Sequence, residues 1–320
     1  MSNEKPLLSI CIPTYNRSKY LKKSLDSIVI QDEFLNGIVE IVISDNASTD
    51  DTEEVVKPYL EKYTNIYYSK NTENVRDKNY PTVLSKAHGR LRRLCNDTLI
   101  FHPSSLKAMC SVVDKYKNSQ PFIFWANGAA KIETEIEDTH FREYVKKISY
   151  WMTSIACFSI WDNECDTIGT DFDGCELLLW QVKKGLKIAR SKDNVLIVNK
   201  KMTDVQTVEK KNISYGLFQV FYKNYLSILE PYFESGSLSE EDKEYLEKDL
   251  LFSFFTGWVV KWELQPDNLD YSKTENLKEA VWNEYRNKPY WNEFLRKYYI
   301  KLYYLKAKKL AKRLLGRESN

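Results

Sequence analysis

The sequence predicts an α/β fold: a Rossmann-like, mostly parallel sheet flanked by helices, followed by a helical C-terminal extension. Three observations predict it. Short apolar runs alternate with segments of helical periodicity through the first part of the chain. Small polar clusters follow the ends of those runs. From about residue 211 the short runs stop and helical periodicity alone remains.

"LLSICIP" (7–13) is an apolar run that ends in a Pro-Thr-Tyr-Asn turn, the pattern of a strand buried on both faces. "KYLKKSLDSIVIQ" then places Leu21, Leu25 and Ile28 on one helical stripe. "VEIVISD" (39–45) is a second strand. "STDDTEEVVKPYLEKY" follows as a helix, with Ser48 or Thr49 as the N-cap and acids in the first turn, where the helix dipole favours them. "NIYYSKN" is a third strand, residues 77–88 a helix, "RRLCND" a fourth strand and "SSLKAMCSVVDKYK" a further helix. In such sheets ligands bind at the carboxyl ends of the strands. The topology alone therefore gathers "PTYN" (13–16), "SDNASTD" (44–50) and "NDT" (96–98). Ser239 before "EEDKEYLEKDL" is an N-cap within the helical remainder. The expected organisation is a sheet domain over 1–210 and a helical extension over 211–320.

Composition sets limits on function. The 320 residues are 43% hydrophobic and 29% charged, a globular balance, and Gly (10) and Pro (9) are too scarce for a turn-rich sandwich. Tyr (22) and Trp (8) are abundant, which suits carbohydrate contact as well as an aromatic core. The six cysteines lack C-x-x-C spacing and read as buried thiols in a reducing compartment. "MSNEKPLLSICIP" lacks the basic start and long apolar run of a secretion signal. "LLFSFFTGWVV" is too short to span a bilayer. A cytoplasmic location is expected.

"LSICIPTYNRSKYLKKSLDSI" with "VEIVISDNASTDDT" resembles the start of family 2 glycosyltransferases of the GT-A fold, close to bacterial surface-polysaccharide transferases of the abequosyltransferase-like kind. "NVRDKNYPTVLSKAHGRLRRLCNDTLIFHPSSL" is similar to the family's next segment. The resemblance covers residues 6–125 well and 150–200 loosely. It implies an inverting transferase that moves a sugar from a nucleotide-sugar, most simply a UDP-sugar, to a hydroxyl of a glycan or polyprenyl-linked acceptor in polysaccharide synthesis.

The residues supply chemistry for such a donor. Pro13, Thr14 and Tyr15 form a tight turn, which in the family packs on the base. Asp45 and Asn46 can meet a pyrimidine edge or form an Asx turn. Arg76 and Lys78 can meet a phosphate or simply face solvent. The family's acidic motif falls on Asn96, Asp97 and Thr98, where relatives carry more carboxylates. The position that usually coordinates metal is Thr98. Mg2+ or Mn2+ requires hard oxygen ligands, so a weakly bound divalent ion on Asp97 and Thr98 is expected, with arginine and lysine as the alternative source of charge. His102 offers a ring nitrogen nearby but reads better as a helix-start residue.

Attack by an acceptor hydroxyl requires a general base. The resemblance implies one downstream of the acidic motif, where "TDFDGCELLLWQVKKG" offers Asp171, Asp173 and Glu176. Asp173 and Glu176 share a face if this segment opens a helix. "YWMTSIACFSIW" (150–161) is aromatic and polar together, so Trp151, Thr153 and Ser154 are candidate acceptor contacts.

Residues 296–320 hold nine Lys or Arg against Glu318 alone, while the rest of the chain is mildly acidic. Trp291, Leu295, Tyr298, Leu302 and Leu305 form one helical stripe before this basic end. The stripe fits packing on the extension or on a second copy of the chain. The basic end with Leu310, Leu314 and Leu315 fits an anionic membrane surface, hence a peripheral location. Nucleic acid is not expected, because no second basic surface accompanies the tail. Two other classes remain: a non-catalytic nucleotide-binding scaffold of the same fold, and a nucleotidyltransferase, whose Gly-rich phosphate loop "CIPTYNRS" lacks.

Overall fold

The computed structural model describes residues 5–208, 215–264 and 275–314, with side chains to residue 311. The chain divides into two compact units, Met1–Glu209 and Lys210–Asn320.

The first unit is built on a five-stranded sheet. Its strands are β1 (Leu8–Thr14), β2 (Val39–Asp45), β3 (Ile66–Lys70), β4 (Leu91–Leu94) and β8 (Ser159–Trp161), in the order β3-β2-β1-β4-β8. The first four run parallel, and β8 joins β4 antiparallel. β1 and β2 are buried along their whole length, as their near-continuous apolar runs require. Helices α1 (Ser18–Ile28), α2 (Asp32–Leu35), α3 (Thr52–Lys62) and α4 (Asn79–Ser85) connect the parallel strands. Leu21, Leu25 and Ile28 of α1 are fully buried against Ile10, Ile12, Ile41 and Ile43 in one core cluster.

After β4 the chain turns through Asn96–Thr98 into β5 (Leu99–Phe101), which pairs antiparallel with β10 (Thr203–Val205). A second sheet of β6 (Phe122–Trp125), β9 (Val195–Val198) and β7 (Ile136–Thr139) lies beyond α5 (Ser105–Tyr116). Sequence periodicity did not indicate this sheet. Helices α6 (Phe141–Ile148) and α7 (Trp180–Ser191) complete the unit. All six cysteines are free and buried, as expected.

Two local expectations are corrected. The helix α3 is capped at Asp51, not at Ser48 or Thr49; the Ser48 hydroxyl instead accepts from the Asn16 amide at 2.9 Å. Asp173 and Glu176 do not open a helix: α7 starts at Trp180, and Gly174 (φ 98°) and Leu178 (φ 58°) hold left-handed conformations that interrupt helical winding before it.

The second unit is helical: α8 (Tyr225–Glu234), α9 (Glu240–Asp249), α10 (Thr256–Leu264), α11 (Leu277–Tyr285) and α12 (Trp291–Leu314). Ser239 caps α9 in a full capping box with Asp242, as the sequence predicts. Trp282 of α11 meets Trp291, Phe294 and Tyr298 of α12 edge-on at 5.1, 5.6 and 5.2 Å between ring centroids. Within the expected stripe Tyr298 and Leu302 are buried and Trp291, Leu295 and Leu305 half-buried; Phe294, outside that spacing, is fully buried. Among the described residues no helix is long and apolar enough to cross a membrane.

Candidate functional site

The parallel register carries β1 and β2 to the same level, pairing Thr14 with Asp45. The turns beyond them are stitched together. The Asn46 amide donates to the Thr14 carbonyl at 2.9 Å, and the Thr49 amide to Asn16 Oδ1 at 2.7 Å. The Ser18 amide, at the start of α1, donates to Asp50 Oδ2 at 3.1 Å. Asn16, Ala47 and Arg76 all adopt positive φ, at 51°, 63° and 52°. Non-glycine residues in this region cost energy and persist where surrounding contacts hold them.

Asp97 is the centre of the third cluster. Its Oδ2 accepts from the Thr14 hydroxyl at 2.9 Å and its Oδ1 from Arg17 Nη1 at 3.1 Å. Burial pushes its pKa up, against the Arg17 charge and the hydrogen bonds from Thr14 and Arg17. Thr98, the neighbouring neutral hydroxyl, is also buried, and Asn96 is half-buried. Thr14, Arg17, Asn46 and Asp97 therefore converge at the carboxyl ends of β1, β2 and β4. Pro13 is buried within β1, and Tyr15 is 43% exposed.

Asp45 and Asn46 are both hydrogen-bonded within the protein. Asp45 accepts from the Ser48 amide at 2.8 Å and the Tyr68 hydroxyl at 2.7 Å. Asn46 donates to Asn74 Oδ1 at 2.8 Å and accepts from the Val75 amide at 2.9 Å and Asn71 at 3.2 Å. Asn46 thus fixes the 71–76 loop that carries Arg76. Arg76 and Lys78 are exposed, and Lys78 Nζ lies 5.2 Å from the Phe172 ring centroid.

That contact brings the 171–176 segment beside the 76–78 turn. Asp171 pairs with Lys184 at 2.7 Å and Asp173 with Lys183 at 2.5 Å, while Glu176 Oε2 accepts from the Gly174 amide at 3.1 Å. Trp151 stacks on Tyr150, with centroids 5.3 Å apart. Thr153 Oγ1 donates to the Tyr150 carbonyl at 2.7 Å, and the Ser154 amide to the Trp151 carbonyl at 3.1 Å. His102 pairs with Asp204 at 2.9 Å rather than joining Asp97.

Sequence reasoning missed two residues. Arg17 directly follows the quoted turn, and its adjacency to the acidic motif was readable only through the β1–β4 pairing. Asp77 sits between the two cations already singled out; burial raises its carboxyl to about 7, opposed by the Arg76 charge.

The expected weak divalent site does not fit these residues. Mg2+ and Mn2+ favour oxygen-rich, usually carboxylate-bearing shells. Here a single carboxylate has both oxygens engaged by hydrogen-bond donors, one of them a cation, and Asn96 and Thr98 are neutral. Among the described residues no group of three His, Cys, Asp or Glu is placed to hold a metal.

A parallel sheet with polar turns gathered at its strand ends, extended by an antiparallel strand beyond the acidic motif, defines the GT-A class of transferase fold. Residues 9–176 match the sequence model of the family described as "Glycosyl transferase family 2", and the chain belongs to that family. The fold is shared with Staphylococcus aureus TarS. Its 1–349 fragment in complex with UDP aligns with a TM-score of 0.56 over 81% of this chain and 77% of that one, at 22% identity. In sequence, 85 residues are 47% identical to abequosyltransferase RfbV of Salmonella typhimurium, covering 26% of this chain and 25% of that protein. A further 57-residue match, 44% identical, is to validoxylamine A glucosyltransferase of Streptomyces hygroscopicus, covering 18% of this chain and 13% of that one. The matched segments span a quarter or less of these curated relatives.

Proposed function

We propose that this chain is an inverting glycosyltransferase that moves a sugar from a nucleotide-sugar to a hydroxyl of a glycan or lipid-linked acceptor in the synthesis of bacterial surface polysaccharide. The observation that carries the reading is the convergence of Thr14, Arg17, Asn46 and Asp97 at the ends of three parallel strands. Family membership, and the UDP named with the TarS fragment, support a nucleoside-diphosphate donor, with UDP the first candidate. Tyr15 offers an aromatic face for the base, and Arg76 and Lys78 offer positive charge.

In the proposed reaction an acceptor hydroxyl attacks the anomeric carbon from the face opposite the leaving group. The C–O bond to the nucleoside diphosphate breaks, and a carboxylate of the neighbouring segment, Asp173 or Glu176, takes the hydroxyl proton. Trp151, Thr153 and Ser154 belong to the acceptor side. The second unit serves acceptor, oligomer or membrane contacts, with the enzyme working at the cytoplasmic face of the membrane.

The test is transfer from a panel of UDP-, dTDP-, GDP- and CDP-sugars, read as release of the nucleoside diphosphate, together with thermal shift for binding. Nucleotide binding stabilises the folded state by mass action. One observation favours a second reading, a nucleotide-binding scaffold without turnover: each carboxylate oxygen of Asp45 and Asp97 already accepts a hydrogen bond within the protein. Binding without nucleoside diphosphate release would select it.

A further inference from the structure

We propose that Arg17, held in place by Asp97, supplies the positive charge that meets the donor's diphosphate, so that this chain binds its nucleotide without a divalent cation. The inference rests on the proposed nucleotide-sugar reading and adds how the leaving group is stabilised.

Both Asp97 oxygens already accept a hydrogen bond, from Thr14 and from the Arg17 cation, so a metal would either displace the guanidinium or share a buried carboxylate with it. Displacing Arg17 removes the ion pair that helps offset the desolvation of Asp97. Leaving it in place keeps a cationic guanidinium 3.1 Å from the carboxylate of the acidic motif. Both routes oppose the metal. The flanking Asn96 and Thr98 add no charge to offset this.

Arg17 has the properties a diphosphate requires. A guanidinium carries positive charge and presents a planar fork suited to two phosphate oxygens. Among the described residues its side chain has one partner, Asp97, bonded through Nη1. Its side chain is 38% exposed, whereas the Asp97 side chain is 3% exposed, so the pair reaches from the interior to the surface of the strand ends. Asp97 is thus a positioning residue, and Arg17 the residue that touches the nucleotide. The amino end of α1 is not an equivalent source of charge, because the Ser18 amide is already given to Asp50. Thr14 holds the second Asp97 oxygen and so fixes the direction in which the arginine is presented.

The test is calorimetric titration of the full chain with UDP, dTDP, GDP and CDP, each with its matching nucleoside, in EDTA and in excess Mn2+. The expected result is at least one diphosphate whose Kd in EDTA lies within about twofold of its value with Mn2+. Arg17→Ala should then weaken that diphosphate by tenfold or more while changing the nucleoside by less than twofold, about 1.4 kcal/mol against less than 0.5. Arg17→Lys, which keeps a charge without the fork, should fall between. The folded state of each variant is checked by its melting curve, and the chelator arm uses the unaltered protein in any case. Binding that strengthens tenfold or more with Mn2+, or an Arg17→Ala variant with unchanged diphosphate affinity, overturns the inference while leaving the transferase reading intact. Failure of every diphosphate to bind in both conditions overturns the transferase reading and this inference with it.

Discussion

The Tyr68 hydroxyl donates to Asp45 Oδ2 at 2.7 Å, joining the middle of β3 to the carboxyl end of β2. Burial, the hydrogen bond and the Asp45 charge push the phenol well above its ordinary range, so it remains a donor at any pH the protein meets. Asp45 is fully buried, and its other oxygen takes the Ser48 amide. Tyr68→Phe therefore leaves a carboxylate oxygen buried without its partner. The expected cost is about 1–3 kcal/mol, read as a lower urea midpoint with an unchanged slope. Nucleotide affinity should fall as well, because the 45–52 turn loses its anchor. A variant as stable as the parent would show that the bond contributes nothing.

Asp77 gives a pH dependence with a definite sign. Its folded pKa of about 7 lies above the ordinary value of 3.8, mainly through burial, with Arg76 pulling the other way. Cys175 and Lys78 lie in the same neighbourhood, the thiol also pushed up, to about 12. Between the two Asp77 values the folded chain keeps a proton that the unfolded chain has lost. Its contribution to stability is therefore complete below about 4, falls as pH rises, and is gone above about 7. The slope from this group is at most about 1.4 kcal/mol per pH unit. Asp77→Asn should flatten that part of the stability profile and raise the melting temperature at pH 8 more than at pH 5. An equal change at both pH values would remove Asp77 as the cause.

How much of this was legible in the sequence depends on what each feature required. β1 and β2 were readable because both faces are buried, so their side chains form uninterrupted apolar runs. Ser239 was readable because a capping box is local. The gathering of Thr14, Asn46 and Asp97 followed from the parallel topology alone. The second sheet was not readable: β7 is a partly exposed strand, and its partner β9 lies far along the chain. Nor was the true start of α7, because Leu178 holds a left-handed conformation that its residue type does not signal. Arg17 escaped notice because its meaning depends on a bond across 80 residues.

The acceptor-side base is tested by two conservative changes. Asp173 and Glu176 are both exposed; Asp173 is paired with Lys183, and Glu176 is bonded to the Gly174 amide. One of Asp173→Asn and Glu176→Gln should lower transfer by about 10²–10⁴-fold while leaving nucleotide affinity within twofold. The other should be near normal. If both retain transfer, the base lies outside this segment, and Asp171 is the next to change.

Tyr298 and Leu302 of α12 are buried, but Tyr299, Ile300, Tyr303 and Tyr304 on its other side are exposed. Lys301, Lys306 and Lys308 are exposed on the same helix. Of the basic end expected from the sequence, the side chains of Lys312, Arg313 and Leu314, and Leu315 as a whole, lie outside the described residues. Aromatic rings beside lysines suit an anionic lipid surface, where each cation contributes about 1 kcal/mol and the rings settle among the headgroups. Full-length protein should therefore co-sediment with vesicles containing phosphatidylserine and not with neutral ones. Changing Lys301, Lys306 and Lys308 together to Gln should weaken binding by about two orders of magnitude, the equivalent of about 3 kcal/mol. Tyr303→Ser with Tyr304→Ser should weaken it without altering the salt dependence, since no charge is removed. If the variants bind the vesicles as the parent does, or the parent binds neither kind, the membrane role is eliminated. Sedimentation velocity on the same proteins then decides whether the exposed face joins two copies of the chain: a dimer that Tyr303→Ser and Tyr304→Ser dissociate would assign it to self-association.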